Sequence, residues 1–182
     1  MFLPQSFANF TVQKKKTMAK ITLGGNPAET IGELPAVGTK APDFKLTATD
    51  MSTKTMADFS GHTLLLNIFP SVNTGVCSAA VRRFNAEAAK MDNTKVLCIS
   101  KDLPFAQQQF CAAEGIEDVV MLSDFKTGQF GIDYQVTAVG SAFDGLLSRA
   151  VVVVDPNGIV TYTEQVPEIG QEPNYEAALS SL

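Results

Sequence analysis

The residue with the most chemical promise is Cys77, which closes the run Pro70-Ser71-Val72-Asn73-Thr74-Gly75-Val76-Cys77. An apolar stretch, Thr63 to Phe69, leads into this run, and a segment with helical spacing leaves it. The spacing places Cys77 in the first turn of that helix. A side chain there meets unpaired backbone N–H groups and the positive end of the helix dipole. Both favour a thiolate, and such placement lowers a Cys pKa from about 8.5 by one to several units. A thiolate is a nucleophile. Thr74, three residues earlier, is close enough to reach that sulfur or an oxygen bound beside it. Gly75 permits close backbone approach. Pro70 can stiffen the approach and shield one side from water. The competing reading is a Cys packed on an apolar helix face beside Val81, the usual fate of a free Cys. On these residues alone the two weigh equally.

The other reactive side chains are few. Cys98 lies inside the apolar run Val96-Leu97-Cys98-Ile99 and reads as inert core. Cys111 is the third Cys and His62 the only His. No C-x-x-C is present, which argues against a zinc site and against a dithiol–disulfide exchanger. His62 sits in a polar turn before Thr63 and reads as solvated. It is away from that strand's carboxyl end, so a Cys–His hydrolase is not expected. Arg149, taken alone, reads as a solvated edge-strand cation. Arg82 and Arg83, five and six residues past Cys77, read as surface residues or as residues that support the site without touching the sulfur.

The elements that must hold these side chains follow from the hydrophobic pattern. Thr63 to Phe69 is short, almost wholly apolar and stopped by Pro70, which predicts a buried central strand. In Val76 to Met91 the residues Cys77, Val81, Phe84, Ala88 and Met91 share one helical face. Thr94 to Ser100 predicts a second buried strand. Pro104, then Phe105 to Glu114, closed by Gly115, predicts a second helix, which carries Cys111. Val119 to Leu122 predicts a third strand and Lys126 to Tyr134 a weak helix. Ala150 to Val154, the turn Asp155-Pro156-Asn157-Gly158 and Ile159 to Val166 predict a hairpin with Arg149 at its start. Upstream come a strand at Ile21 to Leu23, a turn at Gly24-Gly25-Asn26-Pro27, a loop from Glu33 to Pro42 and a short strand at Phe44 to Leu46. Asn174 to Leu182 predicts a terminal helix. This order predicts one α/β domain with parallel crossovers and an antiparallel edge. Such sheets place their sites in loops at the strands' carboxyl ends, where Pro70 to Cys77 falls.

Composition bounds the function. A chain of 182 residues suits one domain. With 45% apolar and 18% charged residues it is foldable. Its net charge of −5 argues against nucleic acid or an anionic membrane as partner. No apolar run nears the roughly 20 residues of a spanning helix. Met1 to Thr17 carries Lys14, Lys15 and Lys16 at its end and has neither a long apolar core nor a small-residue cleavage site. It reads as a disordered extension rather than a secretory signal, or as a start site set too early. The folded domain is expected over 18–182, in the cytoplasm, where thiols stay reduced.

The pattern P-x-x-x-T-x-x-C after an apolar strand resembles the peroxiredoxin active-site motif. Longer stretches resemble the thiol peroxidase branch of that superfamily. These are L-N-I-F-P-S-V-N-T-G-V-C, V-R-R-F-N, V-L-C-I-S-K-D-L-P-F-A-Q and F-C-A-A-E-G, with Ser148 to Asp155 and Glu172 to Leu179 further on. The likeness runs from Met18 to Leu182. It implies a thioredoxin-like fold, a central mixed sheet flanked by helices, with an N-terminal β-hairpin. It implies a peroxidase that reduces hydrogen peroxide and alkyl or lipid hydroperoxides through a sulfenic acid at Cys77. Cys111 would resolve this as an intramolecular disulfide, which thioredoxin would reduce. Thr74 would hydrogen-bond around thiolate and peroxide, Pro70 would shield the pocket, and Arg149 would stabilise the thiolate and polarise the peroxide. Arg suits that task because it keeps its charge at any working pH. The resemblance implies no metal, haem or flavin, and a homodimer. Asn73 departs from the Asp frequent in the family, at a position whose side chain need not touch sulfur. A disulfide needs Cα atoms within about 7 Å. The first turn of the Cys77 helix and the start of the Cys111 helix are therefore expected to unwind.

Overall fold

Runs of leucine and β-branched residues, each bounded by polar turns, build the centre of the molecule. The computed structural model describes residues 17–182. The extension expected at 1–17 lies, apart from Thr17, outside the described residues. The strands are β1 (Lys20–Leu23), β2 (Asn26–Thr30), β3 (Lys45–Ala48), β4 (Thr53–Thr55), β5 (Thr63–Ile68), β6 (Thr94–Ser100), β7 (Val120–Ser123), β8 (Ala138–Val139), β9 (Ala150–Val154) and β10 (Val160–Gln165). The helices are α1 (Gly75–Ala88), α2 (Pro104–Glu114), α3 (Gln129–Asp133) and α4 (Tyr175–Leu179), with a 3-10 turn at Met56–Phe59.

Seven strands form the main sheet in the order β10-β9-β5-β6-β7-β3-β4. β5, β6 and β7 run parallel, joined by α1 and α2. β9 and β3 flank them antiparallel. The sheet is therefore mixed, with antiparallel pairs at both edges where one was expected. A second sheet, β1-β2-β8, contains the N-terminal hairpin.

Side chains alternate across a strand, so β5 feeds two cores. Leu64, Leu66 and Ile68 join Phe44, Phe59, Phe130 and Tyr134 on one face. Leu65 and Phe69 join Val81 and Phe84 of α1 and Ala178 of α4 on the other. Phe110 and Cys111 of α2 pack against this second core, which also holds Cys77 and Cys98. All three Cys thus sit on the same side of the sheet.

The expected elements form, with shifted ends. The first turn is only Gly24-Gly25, both at positive φ, and Pro27 lies within β2. α1 stops at Ala88, so Met91 is not on its buried face. α2 ends where Gly115 adopts φ 65°, as the glycine signal indicated. α4 is shorter than expected; Asn174 caps it by accepting from Ala177 N–H at 3.0 Å. β4 and β8 were not anticipated, since Thr-Lys-Thr and Ala-Val are too short to carry a period.

Candidate active site

Sheet register brings the first two residues together. Ile68 at the end of β5 faces Ala150 at the start of β9. Arg149 therefore stands beside the carboxyl end of β5, where the chain turns through Pro70 into α1. Cys77 is the third residue of α1 and is fully buried. Arg149 is 2% exposed. Its Nη2 donates to Cys77 Sγ at 3.2 Å, and its Nε donates to the carbonyl of Ile169 at 2.7 Å. Its Nη1 has no hydrogen-bond partner among the described residues. Burying a guanidinium costs heavily unless its donors are met. One donor here points at a sulfur and another is left for an acceptor. The two readings of Cys77 turn out to be compatible: it packs in the second core and faces a buried cation.

The clamp on Arg149 extends to the N-terminal hairpin. Ile169 is buried with Ile21 and Ala28. Its neighbour Glu168 accepts from Gly24 N–H at 3.0 Å, Gly25 N–H at 2.9 Å, Gly170 N–H at 2.9 Å and Thr22 Oγ1 at 2.7 Å. These bonds favour the charged carboxylate and hold its pKa down to about 2. Neither Ile169 nor Glu168 stands out in the sequence, because Arg149 lies 20 residues from Ile169 and the hairpin partners of Glu168 lie 143 to 146 residues away.

Thr74 precedes α1 in extended conformation without capping it through its side chain. Its Oγ1 donates to the Ser71 carbonyl at 3.1 Å, and its N–H donates to the same oxygen at 3.2 Å. The direct bond from Thr74 to sulfur that the spacing allowed is not made. The hydroxyl proton is turned to Ser71, which leaves its lone pairs as acceptors. Pro70 and Val72 are buried beside it, while Asn73 is exposed.

Cys77, Cys98 and Cys111 are free thiols. Cys111 lies in the last turn of α2, half-buried, and burial pushes its thiol up. Cys111 thus stands at the end of α2 and not at its start, where unwinding was expected. Ala112 and Ala113 of that turn are exposed. Arg82 of α1 clasps Glu114 of α2 through Nε to Oε2 at 2.8 Å and Nη2 to Oε1 at 3.1 Å. Arg83 lies over the Tyr175 ring. Cys98 is buried; its thiol is pushed up to about 12 by burial, against a weaker opposing bond from Asn67 Nδ2 at 3.5 Å. It reads as core, as expected. His62 is half-buried rather than solvated, and its Nδ1 has no partner among the described residues. No cluster of three or more His, Cys, Asp or Glu among the described residues is arranged to hold a metal ion.

A family model described as Redoxin matches residues 36–179. A thiol peroxidase of Mycobacterium tuberculosis (strain H37Rv) is 56% identical over 165 residues, covering 91% of this chain and 99% of that protein. The chain belongs to the thiol peroxidase family of peroxiredoxins. A thiol peroxidase of Corynebacterium glutamicum is 53% identical over the same shares. Among solved structures, a peroxiredoxin-like protein from Aquifex aeolicus superposes with a TM-score of 0.84 at 35% identity, covering 90% of this chain and 96% of that one. A Chromobacterium violaceum thiol peroxidase shares the fold, with a TM-score of 0.83 at 20% identity over 89% and 94% of the two chains. The thioredoxin-like fold expected from the resemblance is therefore the fold of this thiol peroxidase family member, a peroxiredoxin-type oxidoreductase. No helix among the described residues is long and apolar enough to cross a membrane.

Proposed function

We propose that Cys77 is the peroxidatic residue of this peroxidase and Cys111 its resolving partner. The observation that carries the reading is the 3.2 Å contact between Arg149 Nη2 and Cys77 Sγ in the first turn of α1. Cys77 sulfur, as thiolate, attacks the distal oxygen of a hydroperoxide. The S–O bond forms as the O–O bond breaks. The products are a sulfenic acid and an alkoxide or hydroxide, which takes the proton that the thiol gave up and leaves as alcohol or water. Arg149 holds its charge throughout. Its free Nη1 donor suits a peroxide oxygen, and its cation offsets the negative charge that moves onto the leaving oxygen. Thr74, with its proton committed to Ser71, accepts the peroxide's O–H and so fixes the angle of attack. Pro70 closes the pocket against water.

Cys111 thiol then condenses with the sulfenic acid. A Cys77–Cys111 disulfide forms and water leaves. Thioredoxin reduces that disulfide and returns both thiols. The sulfur carries the electrons, so the reaction calls for no metal, haem or flavin. Apolar Phe69, Val72 and Val76 around the site suit alkyl and lipid hydroperoxides, with hydrogen peroxide also small enough to enter. The same reading puts the protein in the reducing cytoplasm as a homodimer.

The test is peptide mapping of the reduced protein after one equivalent of cumene hydroperoxide without reductant. A Cys77–Cys111 disulfide with Cys98 free is expected. A sulfenic or sulfinic acid at Cys77 with Cys111 untouched keeps the peroxidase and removes the resolving role. Three unmodified thiols overturn the site.

A further inference from the structure

The helix that carries Cys111 is seated by polar contacts as well as by Phe110 and Cys111 against the second core. Only Pro104 and Gln107 of α2 are buried, while Leu103 and Phe105 beside them are exposed. Gln107 Nε2 donates to the Leu122 carbonyl at 3.0 Å and to Ser100 Oγ at 3.1 Å. Ser100 Oγ passes its own proton to Asp102 Oδ2 at 2.7 Å. The same carboxylate receives the loop that leads to Cys77. Ser71 Oγ donates to Oδ1 at 2.6 Å, and Val72 N–H donates to Oδ2 at 2.8 Å. Ser123 Oγ on β7 donates to the Asp102 carbonyl. Three donors therefore converge on one carboxylate from the loop before α1 and from the end of β6, and Gln107 joins α2 to them.

We propose that Asp102 is a positioning residue that couples the Cys77 loop to the Cys111 helix and holds both in the arrangement that meets peroxide. The inference rests on the roles given above to Cys77 and Cys111. Asp102 touches neither sulfur. It fixes Ser71, whose carbonyl orients Thr74, and through Ser100 it seats Gln107 one helical turn before Cys111. Charge-assisted hydrogen bonds are the stronger kind, and a shared acceptor links the two segments. The disulfide step requires the sulfurs to leave this arrangement. Asp102 thus favours the first chemical step and opposes the second.

The consequence is a pair of effects of opposite sign. In Asp102→Asn, one acceptor oxygen replaces two. Cys77 oxidation is expected to slow by about tenfold as Thr74 loses its fixed partner. Disulfide formation from the sulfenic acid is expected to quicken by about threefold. At excess peroxide the yield of Cys77 sulfinic acid falls accordingly. Rapid-quench mass spectrometry of the full chain reads both steps. Asp102→Ala should show the same signs more strongly. Ser71→Ala removes one of the two loop contacts, leaving the Val72 N–H bond, and Gln107→Met removes only the helix contact. The first should act mainly on oxidation and the second mainly on disulfide formation. Both steps unchanged, or both slowed by one common factor, would overturn the coupling. Hydrogen exchange of the reduced protein gives an independent reading that involves no disulfide. Faster exchange in both 71–76 and 104–111 in Asp102→Asn supports the coupling. Faster exchange in one segment alone, or in neither, refutes it. If wild type forms no Cys77–Cys111 bond, the resolving assignment fails, and exchange still decides what Asp102 couples.

Discussion

Arg149 divides one guanidinium between a backbone carbonyl and a sulfur. A lysine ammonium has its donors on one nitrogen and lacks the planar fork that spans these two acceptors. Arg149→Lys is therefore expected to slow the second-order oxidation of Cys77 by about 100-fold, as read by competition with a second peroxidase. A rate within about threefold of wild type would remove the guanidinium from the mechanism. Cys111 makes a prediction about pH. Burial raises its thiol above the ordinary 9.0, so the folded protein holds it protonated further into alkali than an unfolded chain does. Iodoacetamide should therefore label Cys111 more slowly in the folded, reduced protein than in urea at the same pH, with the gap closing as pH rises. Equal rates would place the thiol in water. The linkage has a definite sign: the folded value lies above the unfolded one. The stability Cys111 contributes is present below 9.0 and is lost as pH rises past it.

Among the elements, the N-terminal hairpin has the least obvious task. Through Glu168 it holds the segment whose Ile169 carbonyl aims Arg149. The Glu168 carboxyl falls from 4.5 to about 2 on folding. Its contribution is therefore present above 4.5 and is lost as pH drops towards 2. Amide exchange in 20–30 should quicken across that window in wild type. In Glu168→Gln it should be faster already at neutral pH, with little further change on acidification. A hairpin that exchanges identically in both proteins would mean that Glu168 does not hold it. The sequence marks this hairpin by its Gly-Gly turn and reveals nothing of what it docks against. α1 and α2 were legible because periodicity, Pro104 and Gly115 are local signals. Their mutual clasp, Arg82 to Glu114, spans 32 residues and leaves no local trace.

At the scale of the whole molecule, two cores on opposite faces of one sheet divide the labour. α1, α2, α4 and the Cys lie against one, and α3 against the other. Leu66 is fully buried in the core away from Cys77. Leu66→Ala is expected to lower unfolding free energy by about 2–5 kcal/mol in urea titration. The oxidation rate of Cys77 per folded molecule should stay at the wild-type value. A large loss of rate in a protein that remains folded would show that the far core shapes the site after all. Cys98 tests the near core. Cys98→Ala should keep the Cys77–Cys111 disulfide under peroxide, since that buried thiol does no redox work in this reading.

Local chemistry was open to the sequence alone. A Cys after a buried strand, a Thr three residues before it, an Arg at the start of a strand and a Cys in the next helix can be placed from residue types and short spacing, while their roles were implied by the family resemblance. The strand Thr94–Ser100 and the strand Ala150–Val154 were legible to the residue, because continuous apolar runs with polar ends admit one boundary. Only the tertiary structure decided which polar groups meet. It put Arg149 beside Cys77 through the register of β5 and β9, set Glu168 against the N-terminal hairpin, and brought Ser71 and Val72 to Asp102. The physical reason is range. Hydrophobic period and turn chemistry act over a few neighbours and can be read along the chain. A hydrogen bond between residues 30 to 145 positions apart exists only once the sheet has set its order and register.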